Sequence, residues 1–174
     1  MTAPRVQLLL TGNELMTGDI VDSNSAMIAE QLKELGLEVA RKVTIADDLT
    51  LLVDEINQLA KQADILIING GLGPTVDDLT AQALAKATEV KLTEHTQALA
   101  HVTSWCKKRG TKLNKPNLKQ ATLPQGCEII ANSKGSAVGF KVNHLNCDIY
   151  CTPGVPHELK TMLIEQIKPD MVKN

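Results

Sequence analysis

Apolar and polar positions follow two rhythms along this chain. Val6–Leu10 and Ile65–Ile68 are unbroken apolar runs of strand length, the pattern of strands buried on both faces of a parallel sheet. Ser23–Leu35 places Ala26, Ile28 or Ala29, Leu32 and Leu35 at helical spacing and closes at Gly36, a helix with its stop signal. Val39–Ile45 alternates and predicts a strand. Leu49–Gln62 predicts a second long helix, with Asp47 or Asp48 available to cap it. Asp77–Ala87 and Glu94–Arg109 predict two more helices, with Thr93 as candidate cap of the latter. Gly110–Gly126 reads as a polar, proline-containing connection. Glu128–Ala131, Gly139–Val142 and Asp148–Tyr150 predict short strands, and Pro156–Ile167 a final helix with Pro156 in its first turn. Strands alternating with helices predict a mostly parallel sheet covered on both faces, one domain over residues 1–174.

The most specific stretch follows the third predicted strand. Asn69-Gly70-Gly71-Leu72-Gly73-Pro74-Thr75-Val76-Asp77-Asp78-Leu79-Thr80 links that strand to a helix. Glycines permit close backbone approach and positive φ. Amides at a helix start favour anions. Two adjacent carboxylates there would repel a bare phosphate unless a cation lies between. The pattern therefore suits a phosphate site with a divalent metal. It equally suits a tight strand-to-helix turn capped by Asp77.

In an open α/β sheet, ligands sit beyond the carboxyl ends of the strands. Three segments follow strand ends: Thr11–Asn24, Gly70–Asp78 and Thr152–Glu158. They are expected to converge. Together they bring Glu14, Asp19, Asp22, Asp77, Asp78 and Glu158, with glycines at 12, 18, 70, 71, 73 and 154.

Composition narrows the function. The net charge of -2 and three aromatics, Trp105, Phe140 and Tyr150, offer little to a nucleic acid. No apolar run reaches the length of a membrane span, and the N-terminus lacks a signal-like pattern. The reading is a cytoplasmic protein. Cys106, Cys127, Cys147 and Cys151 make no CxxC pair. They are expected to be reduced core thiols, with Cys147 and Cys151 on one strand face. A metal role for Cys147 with His144 is the minor alternative.

The chain resembles the N-terminal domain of the CinA (competence/damage-inducible) family, within the molybdopterin-binding MoaB/MogA-like superfamily. The resemblance is carried by Gly12-Asn13-Glu14-Leu15, Asp19–Asn24, Gly70–Thr80, Asn117–Ala121 and Pro153–Glu158, in order along nearly the whole chain. Two departures stand out. The family usually has Thr where Asn13 stands, and Pro within Asn132–Gly139, where this chain has Ser133 and Val138. Neither removes a charge.

The resemblance implies a three-layer α/β/α fold. It implies hydrolysis of ADP-ribose to AMP and ribose 5-phosphate with a divalent metal (Mg, Mn, Co or Ni), K being a further candidate cofactor. The wider superfamily implies the alternative of molybdopterin binding and adenylylation. A non-catalytic nucleotide-binding module is the third class. Leu72, where molybdopterin enzymes usually carry Thr, favours the first. Deamidation of nicotinamide mononucleotide belongs to a separate C-terminal domain of CinA proteins and is not expected of these residues.

The expected site follows from both lines. Asp78 and Asp77 are the candidate catalytic and metal-binding residues, with one of the pair expected as a direct ligand. Gly12, Glu14, Asn24, Gly70, Gly71, Gly73, Thr75, Lys119, Gln120, Gly154 and Glu158 are the candidate substrate contacts. Lys119 is expected to meet phosphate as a point charge. Its plain alternative is a solvated surface charge. Glu14 is expected to meet metal or a ribose hydroxyl, or else to cap its turn. Asp22 and Asn24 have helix capping as the commoner use. Glu158 has the helix macrodipole as its alternative role, and His157 is a weaker candidate base. A homodimer is expected, with the Thr93–Arg109 helix and Trp105 as candidate contact. The competing expectation is that Trp105 packs on its own sheet.

Overall fold

The computed structural model describes residues 2–173. The strands are β1 (Val6–Thr11), β2 (Val39–Ile45), β3 (Ile65–Asn69), β4 (Leu92–Glu94), β5 (Thr122–Pro124), β6 (Glu128–Ile130), β7 (Gly139–His144) and β8 (Cys147–Thr152). The helices are α1 (Asn13–Met16), α2 (Asn24–Lys33), α3 (Leu49–Ala60), α4 (Thr80–Ala87), α5 (Thr96–Lys108), α6 (Lys115–Gln120), α7 (Pro156–Met162) and α8 (Lys168–Lys173), the last two joined by a π turn at Leu163–Ile167.

Six strands form one sheet in the order β2-β1-β3-β8-β7-β6. The four from β2 to β8 run parallel, β7 returns antiparallel to β8, and β6 at the edge pairs antiparallel with β7. Alternate residues face opposite sides of a strand, and both sides are apolar here. Leu9, Leu66, Ile68, Ile149 and Cys151 pack with Leu52, Ile56, Leu59, Ala83 and Leu84 of α3 and α4. Leu8, Leu10, Ile67 and Tyr150 pack with Ile28 and Leu32 of α2 and with Leu159 and Met162 of α7. The three-layer α/β/α expectation is met. Each fully buried aliphatic side chain contributes roughly 1.5–3 kcal/mol, so Ile67→Ala, in the middle of the sheet, is the kind of change that breaks it.

Register positions the site. Leu10 lies beside Asn69, and Asn69 beside Thr152. The three central strands therefore end level, and the loops after them leave the sheet along one edge.

Several boundaries differ from expectation. The helix expected from Asp77 begins at Thr80, and Asp77 does not cap it. Asp78 takes the local role instead, its carboxylate accepting from Thr75 within the loop. Thr93 is no cap. It lies in β4, opposite Leu123, and His95 precedes α5. The supposed connection 110–126 holds α6 and β5. Asn114 caps α6 by accepting from the Asn117 N–H, and Pro116 sits in its first turn, where a missing N–H costs nothing. The final helix runs on past Ile167. Pro169 has no N–H for the carbonyl one turn back, and the widened turn sits just before it. All four cysteines are buried and unbridged. Burial pushes the Cys127 thiol up to about 11, so it stays protonated. His144 bonds Asn57 through Nε2 at 2.7 Å.

Candidate functional site

The level strand ends open into a cleft of about 1000 Å³. All three expected loops line it, contributing Gly12, Glu14, Asn24, Gly70, Gly71, Gly73, Thr75, Asp77, Asp78, Gly154 and Glu158. Gln120 joins them from the end of α6 and also borders a smaller hollow beside the glycine-rich loop. Lys119 does not line the cleft. Its ammonium donates to the Thr75 carbonyl, and it lines that smaller hollow on the other side of the glycine-rich loop.

That loop is shaped by close approaches. Gly70 has φ +105°, and a Cβ there would lie 2.5 Å from the Thr11 carbonyl oxygen. A Cβ at Gly71 would lie 2.2 Å from Thr80 Oγ1. Thr80, wholly buried, donates to the Gly70 carbonyl at 2.7 Å and so ties the helix start to the strand end. Asp78 Oδ2 accepts from the Thr75 N–H at 2.9 Å and from its hydroxyl at 2.8 Å. No hydrogen bond engages Asp78 Oδ1 among the described residues. Asp78 is half-buried and Asp77 exposed, so the two adjacent carboxylates differ in setting, as expected, although they lie in the loop before α4 and not in its first turn.

Asn69 fastens the loops together. Its amide nitrogen donates to Pro153 O at 2.8 Å and Thr152 Oγ1 at 3.1 Å, and its oxygen accepts from Asn24 at 2.9 Å. Asn24 also donates to the Gly154 carbonyl at 2.8 Å. Its nitrogen is thereby committed, and its buried oxygen has no partner. Asn24 is thus no cap. Asp22 is the residue that caps α2, accepting from the Ser25 N–H at 3.0 Å.

On the first loop, Asp47 accepts from the Asn13 N–H at 3.1 Å and from Thr11 Oγ1 at 2.8 Å, while the Asn13 side chain accepts from the Asp47 N–H at 3.0 Å. This exchange gives Asn13 its use. Asp48, not Asp47, caps α3. Glu14 is exposed and folds back over Gly12, where a Cβ would lie 2.6 Å from Oε1.

The far wall is built on residues 132–137. Glu158 is only 8% exposed, and Asn132 donates to its Oε1 at 2.7 Å. A Cβ at Gly135 would fall 1.5 Å from that oxygen, so any side chain there would displace the buried Glu158 carboxylate. Gln120 is 5% exposed, donates to Ser136 Oγ at 3.1 Å, and leaves Oε1 unpartnered. Trp105 of α5, Arg109 at its C-cap and Lys134 complete this wall. Trp105 therefore belongs to neither core cluster, which removes the expectation that it packs on its own sheet. His157 is exposed at the rim.

Sequence reasoning missed Asn69, Thr80, Asp47, Asn132 and the Trp105–Arg109 pair as parts of this site. Asn69 had a signal: a polar residue ends an apolar strand. Asp47 had one too, since it follows the carboxyl end of β2. The α5 pair had none, because its face is set by how α5 lies against the sheet.

A family model described as the probable molybdopterin binding domain matches residues 7–173. A CinA-like protein of Colwellia psychrerythraea is 72% identical over 169 residues, 97% of this chain and 39% of that protein. A CinA-like protein of Shewanella frigidimarina is 42% identical over 95% of this chain and 39% of its own length. The chain thus spans about two fifths of the curated relatives it matches. Among solved structures, the protein CinA of Thermoplasma acidophilum superposes with TM-score 0.87 at 31% identity, covering 95% of this chain and 96% of that one. The molybdopterin biosynthesis enzyme MoaB of Thermus thermophilus shares the fold, with TM-score 0.63 at 20% identity over 96% of this chain and 91% of its own.

Proposed function

We propose that this chain, which belongs to the probable molybdopterin binding domain family and to its CinA-like members, hydrolyses the pyrophosphate of ADP-ribose to AMP and ribose 5-phosphate. The observation that carries the reading is the cleft itself. Three glycine-bearing loops meet there around Asp78, whose Oδ2 is clasped by Thr75 while no hydrogen bond takes Oδ1 among the described residues.

A divalent cation fits this arrangement. Among the described residues no three His, Cys, Asp or Glu side chains gather to hold a metal alone. Hard cations such as Mg²⁺ ordinarily keep one or two carboxylates and take the rest from substrate phosphates and water. Asp78 and Asp77 are the residues that would hold it, and when bound it supplies charge neutralisation at the phosphoanhydride. Asp78 also orients the attacking water through Oδ1. Gly71 and Gly73 let the backbone come close to phosphate. The unpartnered Asn24 oxygen accepts from a ribose hydroxyl, because an unmet buried acceptor favours a ligand that brings a donor, and the Glu158 carboxylate, held by Asn132, accepts from another. Lys119 acts by holding Thr75 in place.

The test is incubation of the purified chain with ADP-ribose, related nucleoside diphosphate compounds and a metal panel, following AMP release. Metal-dependent AMP release is expected. Full turnover in excess chelator would remove the metal, and no release with any metal would remove hydrolysis. A second reading, binding of a molybdopterin-type phosphate, is favoured by the description of the family and is separated by the same panel with that ligand added.

A further inference from the structure

The wall opposite the glycine-rich loop carries a connected set of groups that the hydrolytic reading leaves unused. His101 and Trp105 lie one helical turn apart on α5, and Arg109, its C-cap, follows one turn on, so the three share a face. The Arg109 guanidinium carbon sits 4.6 Å from the centre of the Trp105 ring. The His101 and Trp105 rings are 6.3 Å apart at 28°. His101 Nε2 lies 2.8 Å from the Gly135 carbonyl and donates to it. The next residue, Ser136, accepts from Gln120. Gln120 and the aromatic column are therefore held on one short loop.

Two features of this wall call for a ligand. Trp105 is the only tryptophan and is half-buried, facing the cleft rather than the core. Gln120 is 95% removed from solvent, yet its Oε1 has no donor. A buried acceptor without a donor is costly, and a ligand N–H would relieve it. A flat surface and a buried acceptor lining one cleft match a planar base that bears an amino group.

We propose that this wall is the base subsite, in which Trp105 with Arg109 stacks an aminated purine and Gln120 Oε1 accepts from its exocyclic amine. The proposal rests on the nucleotide reading above and adds to it which end of the cleft takes the base. Hypoxanthine, with a carbonyl in place of that amine, meets Gln120 acceptor to acceptor while Ser136 Oγ holds the amide nitrogen, and is disfavoured in that orientation. Arg109 adds its planar, charged face to the stack.

The sole tryptophan supplies the readout. The intact chain is titrated with AMP, IMP and ribose 5-phosphate, reading tryptophan emission and calorimetric heat in parallel. AMP is expected to change the emission saturably, ribose 5-phosphate to leave it unmoved, and IMP to bind less tightly than AMP. Trp105→Leu should weaken AMP about tenfold, the scale of a lost base stack, and leave ribose 5-phosphate unaffected. Trp105→Phe should retain AMP. Gln120→Ala should erase the preference for AMP over IMP.

AMP binding with unmoved emission, or AMP held equally by Trp105→Leu, would overturn the base subsite and leave the nucleotide reading standing. Equal binding of AMP and IMP by the unaltered chain would overturn the role of Gln120. Heat from neither AMP nor ADP-ribose would overturn the nucleotide reading, and the subsite with it. Phe rescue keeps a folding defect of the Leu variant from deciding the matter.

Discussion

The two edges of the same sheet treat charge in opposite ways. At the edge where β1, β3 and β8 begin, charges are paired. Arg5 bonds Asp64 through its N–H at 2.7 Å and its Nε at 3.3 Å. Lys141 bridges Asp170 at 2.9 Å and Asp148 at 3.2 Å, and Tyr150 donates to the same Asp170 at 2.8 Å. At the edge where those strands end, Glu14, Asp77, Asp78, Glu158, Arg109 and Lys134 line one cleft, and no ion pair joins any of them among the described residues; Asp22, which also lines it, is the exception, bridged by Lys42 at 3.6 Å. Asp77 and Asp78 lie on the glycine-rich side, while Arg109, Lys134 and the buried Glu158 belong to the opposite wall. Opposite charges held apart in one concavity cost stability and leave both signs available to a ligand. Paired charges do the reverse.

The sharpest way to break this comparison is at Asp78. Asp78→Ala is expected to cut AMP release by roughly 100-fold or more, the scale of a lost transition-state charge stabiliser. Asp78→Asn separates charge from shape, since its amide oxygen can still accept from the Thr75 N–H. Folding of the Asn variant by urea titration should stay near that of the unaltered chain while turnover falls. An Asn variant with full turnover would make Asp78 a loop clasp alone.

Asn69→Ala comes next. It strips the tie among three loops and leaves Thr152, Pro153 and Asn24 short of partners. About 1–3 kcal/mol of stability should go, the cost of leaving buried polar groups unmet. Turnover should fall with it. Full turnover in the folded fraction would show that the loops converge without it.

Lys141→Met probes the other edge. Its partners are partly exposed, which discounts the pair, so about 1–2 kcal/mol is expected, with turnover per folded molecule unchanged. The hydrogen bond from Lys141 holds the Asp170 carboxyl below the ordinary carboxylate range. A depressed carboxylate contributes stability above its unfolded pKa and loses it as pH falls through the folded one. The unaltered chain should therefore lose stability on acidification below about pH 4, and the Met variant should lose less over that window. Parallel acid limbs for the two proteins would remove this coupling.

The smallest effect is expected from Lys119→Ala. Its ammonium meets the loop and not the cleft, so turnover should fall only about threefold, with affinities for ADP-ribose and adenosine changing alike, as a lost hydrogen bond to a carbonyl implies. A selective loss of ADP-ribose binding in calorimetry would return Lys119 to direct phosphate contact.

Much of this was legible in the residues. The apolar runs at Val6–Leu10 and Ile65–Ile68 lie within β1 and β3, and Val39–Ile45 is β2 residue for residue. The glycine-rich segment announced its turn, and the rule of strand ends brought its three loops to one cleft. These are local or periodic properties, and a short window of sequence carries them. What the windows could not carry were relations between distant residues. Lys119 and Gln120 are neighbours, yet one turns to the loop and the other to the cleft. Gly135 lies where a Cβ would meet the carboxylate of Glu158, far along the chain. Trp105 has an apolar ring that suits core, interface or ligand equally well, and only the placement of α5 against the 132–137 loop decided its face. The sequence by itself determined the layers, the loop chemistry and the edge where function gathers, because periodicity and turn chemistry act over a few residues. The tertiary structure decided which side chains meet there, because hydrogen bonds and close packing join partners that the chain order keeps apart.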